Sequence, residues 1–202
     1  MPRVAGQIDV GKNEAIIDAA IEVMAEHGLG ASLDVVARRA GVSRQTIYNH
    51  YGSKAELARA IADRRLHEVR EILEAPGALG RPAETLAGYA RLLLRSVLSP
   101  RGVTLYRMAI SAVATLPDMA RAIYEAGPRA SRQHLADYLR AEAAAGRIAA
   151  ADPHEAAAFF AGMVLGRFQT PALLGAPVEL TDEAVDRVAR EATARFLRAY
   201  AP

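Results

Sequence analysis

Apolar residues recur at intervals of three and four along almost the whole chain, and convincing two-residue alternation is absent. Ile17, Ala20, Ile21 and Met24 fall at i, i+3, i+4 and i+7, and Leu33, Val36, Ala37 and Ala40 repeat the pattern. Leu86, Tyr89, Ala90, Leu93 and Val97 carry it on, as do Val185, Val188, Ala189, Ala192 and Phe196. Such spacing turns one face of a helix to a core, whereas a half-buried strand needs a period of two. The chain is therefore read as all-α. Alanine, the strongest helix former, makes up roughly a fifth of it. At 202 residues the chain can bury a core without disulfide or metal. It has no cysteine, which excludes a disulfide framework, cysteine-ligated zinc, an iron–sulfur cluster and a cysteine nucleophile.

Punctuation divides the pattern into about nine helices. After an N-terminal arm, 1–11, a first helix spans about 12–28 and ends at Gly28 and Gly30. A second follows Ser32 and stops at Gly41, and a third runs from Ser43 to about His50. Gly52 breaks the chain, and Ser53-Lys54-Ala55-Glu56 is a capping box that opens a fourth helix to about Leu73. A fifth ends at Ser99-Pro100, and a sixth covers about 102–114. Pro117 opens a seventh, which Gly127-Pro128 should interrupt because proline lacks an N–H and clashes with the preceding turn. The eighth starts at Asp152-Pro153-His154-Glu155, a loop follows at 170–177, and Thr181 caps the ninth. No apolar core of signal-peptide length opens the chain. The longest apolar run, Ala156 to Leu165, is ten residues, well short of the ~20 that span a bilayer. These features predict a soluble cytoplasmic protein with no membrane partner.

The net charge of +2 is uneven. Between Val36 and Leu66 lie seven basic residues (Arg38, Arg39, Arg44, Lys54, Arg59, Arg64, Arg65) against Glu56 and Asp63, so this stretch carries +5 and the remainder −3. A local basic patch suits a polyanion, and a solvated helix face would read the same way. Residues 32–51, S-L-D-V-V-A-R-R-A-G-V-S-R-Q-T-I-Y-N-H-Y, add a more specific sign. Two short helices meet at Gly41, the layout of a helix-turn-helix. Val36, Ala37, Val42, Ile47 and Tyr51 form its inner face, and Arg44, Gln45, Thr46, Tyr48, Asn49 and His50 the outer one. Arg can bond guanine O6 and N7, Gln or Asn can bond adenine N6 and N7, and a Thr methyl can touch thymine. Tyr48, His50 and Lys54 suit phosphates, which fix register.

The stretch from Asn13 to Leu57 resembles the N-terminal domain of TetR-type transcriptional regulators. The resemblance lies in I-I-D-A-A-I-E-V-M-A-E-H-G (16–28), S-L-D-V-V-A-R-R-A-G-V-S (32–43) and T-I-Y-N-H-Y-G-S-K-A-E-L (46–57). L-Y-R-M-A-I (105–110), L-P-D-M-A-R-A-I-Y-E-A-G-P (116–128) and D-P-H-E-A-A-A-F-F-A-G (152–162) are similar to the AefR-like subgroup of the family's C-terminal domains. The resemblance implies a DNA-binding head over 12–56 and a helical ligand-binding and dimerisation domain over 57–202. Arg44, Gln45 and Thr46 would approach bases, while Ser32, Tyr48, His50 and Lys54 would hold backbone; Asn49, on the same outer face, completes the DNA-facing set. Tyr51 stands where the family more often has Phe, so its hydroxyl needs a partner or solvent. The implied partners are near-palindromic operator DNA, a second copy of the chain and an unknown small-molecule effector.

In the family the last two helices form the dimer, which here points to Ala157, Ala161, Gly162, Val185, Val188, Ala192 and Phe196. The family's cavity lies among the middle helices, and the candidates to line it are Tyr89, Leu93, Tyr106, Met108, Ile110, Tyr124, His134, Tyr138, Phe159, Met163 and Arg167. Met and aromatic side chains suit an apolar or aromatic ligand, one polar end of which His134 or Arg167 could orient. Such a ligand must bind two spacings of the recognition helices unequally to release DNA. No cofactor, metal site or catalytic residue is expected. The chain contains no E-x-x-H, H-E-x-x-H or G-x-S-x-G. Gly6 to Asn13, G-Q-I-D-V-G-K-N, nearly spells a phosphate-binding loop, but Asn13 replaces the magnesium-binding Ser/Thr and no strand precedes it. A protein-binding helical adaptor, or an activator of the same fold without an inducer, remains an alternative.

Overall fold

Side chains that accept from free N–H groups mark where the helices begin. In the computed structural model, which describes residues 10–27 and 31–202, Ser43 accepts from Thr46 N–H at 3.0 Å and Ser53 from Glu56 N–H at 3.2 Å. Asp152 accepts from His154 and Glu155, and Thr181 from Ala184. Each fills one of the orphan donors of a first turn. The described helices are α1 (Val10–His27), α2 (Leu33–Arg39), α3 (Arg44–Tyr51), α4 (Lys54–Leu73), α5 (Pro82–Leu98) and α6 (Pro100–Ala112). After them come α7 (Pro117–Tyr124), α8 (Ala130–Ala144), α9 (Pro153–Leu174) and α10 (Asp182–Ala199). The fold is all-α, with no strand among the described residues.

Boundaries differ from the sequence reading in three places. The expected loop at 170–177 is helical as far as Leu174, with Pro171 inside α9. Val10 and Gly11, assigned to the arm, already belong to α1, while residues 1–9, Gly28 and Gly30 lie outside the described residues. Gly127-Pro128 does not break its helix. Glu125–Arg129 forms a π-helical turn with Pro128 inside it, so α7 runs on into α8 and the ten segments make nine rods. A π turn closes i→i+5 bonds, which reroutes the ladder around a residue that has no N–H.

The described residues pack as two compact units, those up to Asp63 with Thr104–Ala126, and Arg64–Val103 with Gly127–Pro202. In the first, Ile16, Ala20 and Val23 of α1 meet Val36 and Ala37 of α2, Ile47 and Tyr51 of α3, and Leu57 and Ile61 of α4. Leu105, Met108, Met119 and Ile123 of α6 and α7 complete that core. Arg39 reaches back from α2 to Glu26 at 2.7 Å and Glu22 at 3.3 Å, and its hydrogen bond holds the Glu26 carboxyl below the usual range.

In the second unit Leu86, Tyr89 and Leu94 of α5, Leu135 and Leu139 of α8, Phe160 and Val164 of α9, and Val185, Ala189 and Phe196 of α10 are buried. Tyr89, Phe160, Phe196 and Tyr200 form an aromatic chain with centroids 6.3, 5.0 and 4.4 Å apart. Two ion pairs, Arg91 with Asp186 and Arg95 with Asp182 at 2.9 Å, join α5 to α10. The loop after α4 is held from inside. Ala78 C=O accepts from Thr85 at 3.0 Å and Tyr138 at 3.1 Å, and Gly80 N–H donates to the buried Glu142 at 2.8 Å.

Candidate nucleic-acid interface

Gly41 sits at φ +66° between α2 and α3, in the left-handed region that a side chain resists. There the backbone turns back on itself, with Val42 N–H donating to Ala37 C=O at 3.0 Å. This turn fixes α3 against α2. Val36, Ala37, Ile47 and Tyr51 are buried and Val42 half-buried, the inner face read from the sequence. The Tyr51 hydroxyl finds its partner in Asn13 Oδ1 of α1. Burial pushes the Tyr51 phenol up, so it stays a donor at neutral pH.

The other side of α3 is polar and outward. Arg44, Gln45, Tyr48, Asn49 and His50 are exposed, and Thr46 is half-buried. Several of these side chains are organised by one another. Gln45 donates to Asn49 one turn on, at 2.5 Å. The Thr46 hydroxyl is shared with Ser43 at 2.7 Å. The Arg44 guanidinium lies 5.2 Å from the Tyr48 ring centroid, and its Nε is 2.9 Å from Asp34 Oδ1 on α2. His50 packs edge-on against Tyr51. Ser32 stands at the α2 N-cap, exposed and with no side-chain cap bond. Lys54 is half-buried in the first turn of α4, whose N-terminus also offers backbone N–H groups.

Not all of the basic stretch faces outward uncommitted. Arg39 is tied to α1, Arg59 pairs with Glu56 at 3.4 Å, and Arg44 pairs with Asp34. Sequence reasoning passed over Asp34. It is the one carboxylate between Ser32 and Tyr51, and that was the available sign.

The residues proposed from the sequence for the cavity fall in both compact units. Tyr106, Met108, Ile110 and Tyr124 belong to the first compact unit, and the other seven to the second. Met108 is buried in the core around α1 to α4. Tyr89 is buried and shares a hydrogen bond with Ser131 at 2.9 Å, and Tyr138 donates to Ala78. Burial raises the Tyr138 phenol to about 12. His134 pairs with Glu74 at 3.3 Å, and both border a hollow of about 320 Å³ with Tyr138 and Leu79. Leu93 and Tyr106 are half-buried, while Ile110, Tyr124, Phe159, Met163 and Arg167 are exposed.

The dimer candidates divide as well. Ala157, Val185, Ala192 and Phe196 have their side chains inside the second unit. Ala161 and Val188 are half-buried and Gly162 is exposed. Phe159 and Met163, exposed at 53% and 45%, share the outer surface of α9 with Gly162 and Gly166. Beside them is a groove of about 450 Å³ lined by Met163, Arg167, Val188, Glu191 and Arg195.

Comparison with known proteins places these features among relatives. The family model for the AefR-like transcriptional repressor C-terminal domain matches residues 84–202, and that for bacterial regulatory proteins of the tetR family matches 16–61. A crystal structure of a candidate TetR-family transcriptional regulator from Mesorhizobium loti superposes with a TM-score of 0.79 at 25% identity, over 99% of this chain and all of the other. The flavonoid-responsive regulator FrrA superposes with a TM-score of 0.68 at 31% identity, over 96% of this chain and 99% of the other. Among curated proteins, the HTH-type transcriptional regulator SrpR of Pseudomonas putida is 44% identical over 55 residues, 27% of this chain. That match spans about a quarter of SrpR (26%).

Proposed function

The chain belongs to the TetR family of bacterial transcriptional regulators, and from that premise we propose that it is a homodimeric repressor released from a near-palindromic operator by a small apolar or aromatic ligand. The observation that carries the reading is the outward face of α3. Arg44, Gln45 and Asn49 are exposed together, on a helix anchored by Ile47 and Tyr51. These are the side-chain types that read major-groove edges. Tyr48, His50, Ser32 and Lys54 flank them and suit phosphates, and residues 12–56 serve as the DNA head. Such a protein works where the chromosome is, in the cytoplasm, with no catalytic step.

Two copies are required because eight residues of helix read only a few base pairs. A two-fold pair would set half-site centres ~34–36 Å apart, or a multiple of that. The α9 surface around Phe159, Gly162, Met163 and Gly166 supports the pairing, because exposed apolar area beside small residues suits close helix approach. The flavonoid response in the printed name of FrrA favours an aromatic effector acting on residues 57–202. Release follows if the effector binds the DNA-competent spacing less well, and a coupling of about 1–3 kcal/mol changes operator affinity about 5–150-fold.

Gel shift and selection from a randomised duplex pool test the reading. Gln45→Ala should cost about 1–3 kcal/mol at one base position and relax preference there. Lys54→Ala should weaken binding to all duplexes alike and lower the salt slope by about one. Equal, salt-insensitive losses from both variants would remove α3 from the groove.

A further inference from the structure

We propose that Asp34 is a positioning residue for base readout: its carboxylate on α2 holds the Arg44 guanidinium by the Nε edge, and Tyr48 supports the same group from its ring face. The inference rests on the DNA-binding reading of α3 and adds a specificity determinant to it. Asp34 lies in the first turn of α2, where the positive end of the helix favours its charge. Its Oδ1 is sealed from solvent and takes no aligned hydrogen bond, and Arg44 Nε stands 2.9 Å away, so the two are joined by charge at close range. A sealed carboxylate oxygen is costly without an opposing charge, so the pair keeps Arg44 where it is.

The geometry leaves Arg44 useful. The guanidinium is a planar fork of five donors, and a carboxylate on the Nε side uses one edge. The two terminal nitrogens form the far end of a side chain that remains 67% exposed. That end can meet guanine O6 and N7 together. The Tyr48 ring, one helical turn away with its centroid at 5.2 Å, restricts rotation of the plane. An arginine held on two sides loses less rotamer freedom on binding, so its contact discriminates more sharply between bases.

The charge balance of the segment supports a purpose beyond attraction. Asp34 is the one acidic residue between Ser32 and Tyr51. A carboxylate beside a phosphate-lined groove opposes non-specific binding while it orders the residue that reads a base. Selectivity rises and indiscriminate affinity falls, a combination that neutral side chains would not give.

The test is selection by the full chain from a randomised duplex pool, repeated with Asp34→Asn, Arg44→Ala and the double variant. Wild-type protein is expected to favour one base about 5–150-fold at the position where Arg44→Ala erases preference. Asp34→Asn should reduce the preference at that same position to about threefold or less, leave other positions unchanged, and tighten binding to random duplex. In the double variant Asp34→Asn should add no further loss of preference, as expected of coupled residues. A uniform gain in affinity with every preference intact, or a change at a position that Arg44 does not read, would overturn the proposal while leaving α3 as the reader. A wild-type chain that selects no sequence would instead bring down the DNA reading itself.

Discussion

Gly102→Ala tests the tightest backbone approach in the second unit. A Cβ built on Gly102 falls 2.1 Å from Ser96 C=O oxygen and 2.7 Å from that of Val97. A carbon keeps about 3.3 Å from a carbonyl oxygen even in a favourable contact, so the overlap exceeds about 1 Å. The obstacles are backbone atoms of the last turn of α5 and cannot rotate away. The corner between α5 and α6 must open, which loosens two bonds made by Ser99. Gly102 N–H donates to its hydroxyl at 2.9 Å and Val103 N–H to its carbonyl at 2.9 Å. Overpacking costs about 1–3 kcal/mol, and the two hydrogen bonds about 1–3 kcal/mol together. For a chain of this length, a loss of about 2–6 kcal/mol lowers Tm by about 4–24 °C. Thermal unfolding followed by circular dichroism reads the shift. Gly11→Ala is the control, because among the described residues no atom outside its own helix backbone and chain neighbours lies within 4 Å of its added carbon. It should leave Tm equal or slightly higher, since Ala is the better helix former. A Gly102→Ala protein melting within about 2 °C of wild type would show that the corner yields freely and that the overlap argument is wrong.

Burial pushes the Glu142 carboxyl up, but Arg147 at 2.5 Å and the Gly80 N–H more than reverse this, so the group titrates below its ordinary 4.5. Its contribution to stability is therefore full above that value and is lost as pH falls through the lower folded one; Tm against pH should drop there in wild type, and Glu142→Gln should flatten that part of the acid limb. Met163→Glu should leave helicity unchanged, because the side chain is exposed, yet convert the proposed dimer to monomer in sedimentation velocity; a dimer surviving at micromolar concentration would move the interface off the outer face of α9.

The head was legible because its signals are local. Gly41 at the bend, Ser43 and Ser53 as caps, and a three-and-four spacing of Val36, Ile47 and Tyr51 specify helices, turn and inner face within about 40 residues. The Pro128 turn was misjudged because proline forbids an α-helical bond at one position without forbidding helix, and a π turn meets that need. The second half was harder for a different reason. Periodicity says which face of a helix is apolar, not whether that face meets its own chain, a ligand or a partner. Phe159 and Phe160 are adjacent in sequence, yet the first is 53% exposed and the second fully buried. Met108 fits a ligand wall by type and packs with α1 to α4 instead. Asp34 carries no motif at all, and only the fold brings it to Arg44.

Helix α9 brings the ambiguity to a head. Its 22 residues are long and apolar enough, by length and composition, to cross a membrane, with a mean hydropathy of 1.2 over an 18-residue stretch. One face, Ala156, Ala157, Phe160, Val164 and Phe168, is already buried in its own unit. A stripe through Phe159, Gly162, Met163 and Gly166 is open, with Ala158, Arg167, Thr170 and Leu174 also exposed. Lipid on that stripe would also meet Arg167, Glu191 and Arg195 around the adjoining groove. Charged groups at mid-bilayer cost about 2.5–3.5 kcal/mol each. A second copy carries the matching chemistry: the same apolar stripe, glycines that let backbones approach, and charges of both signs for the rim. A two-fold axis would set each stripe against its twin. Such a pair would also carry two α3 helices, so the open face of α9 and the outward face of α3 both suit the proposed dimer.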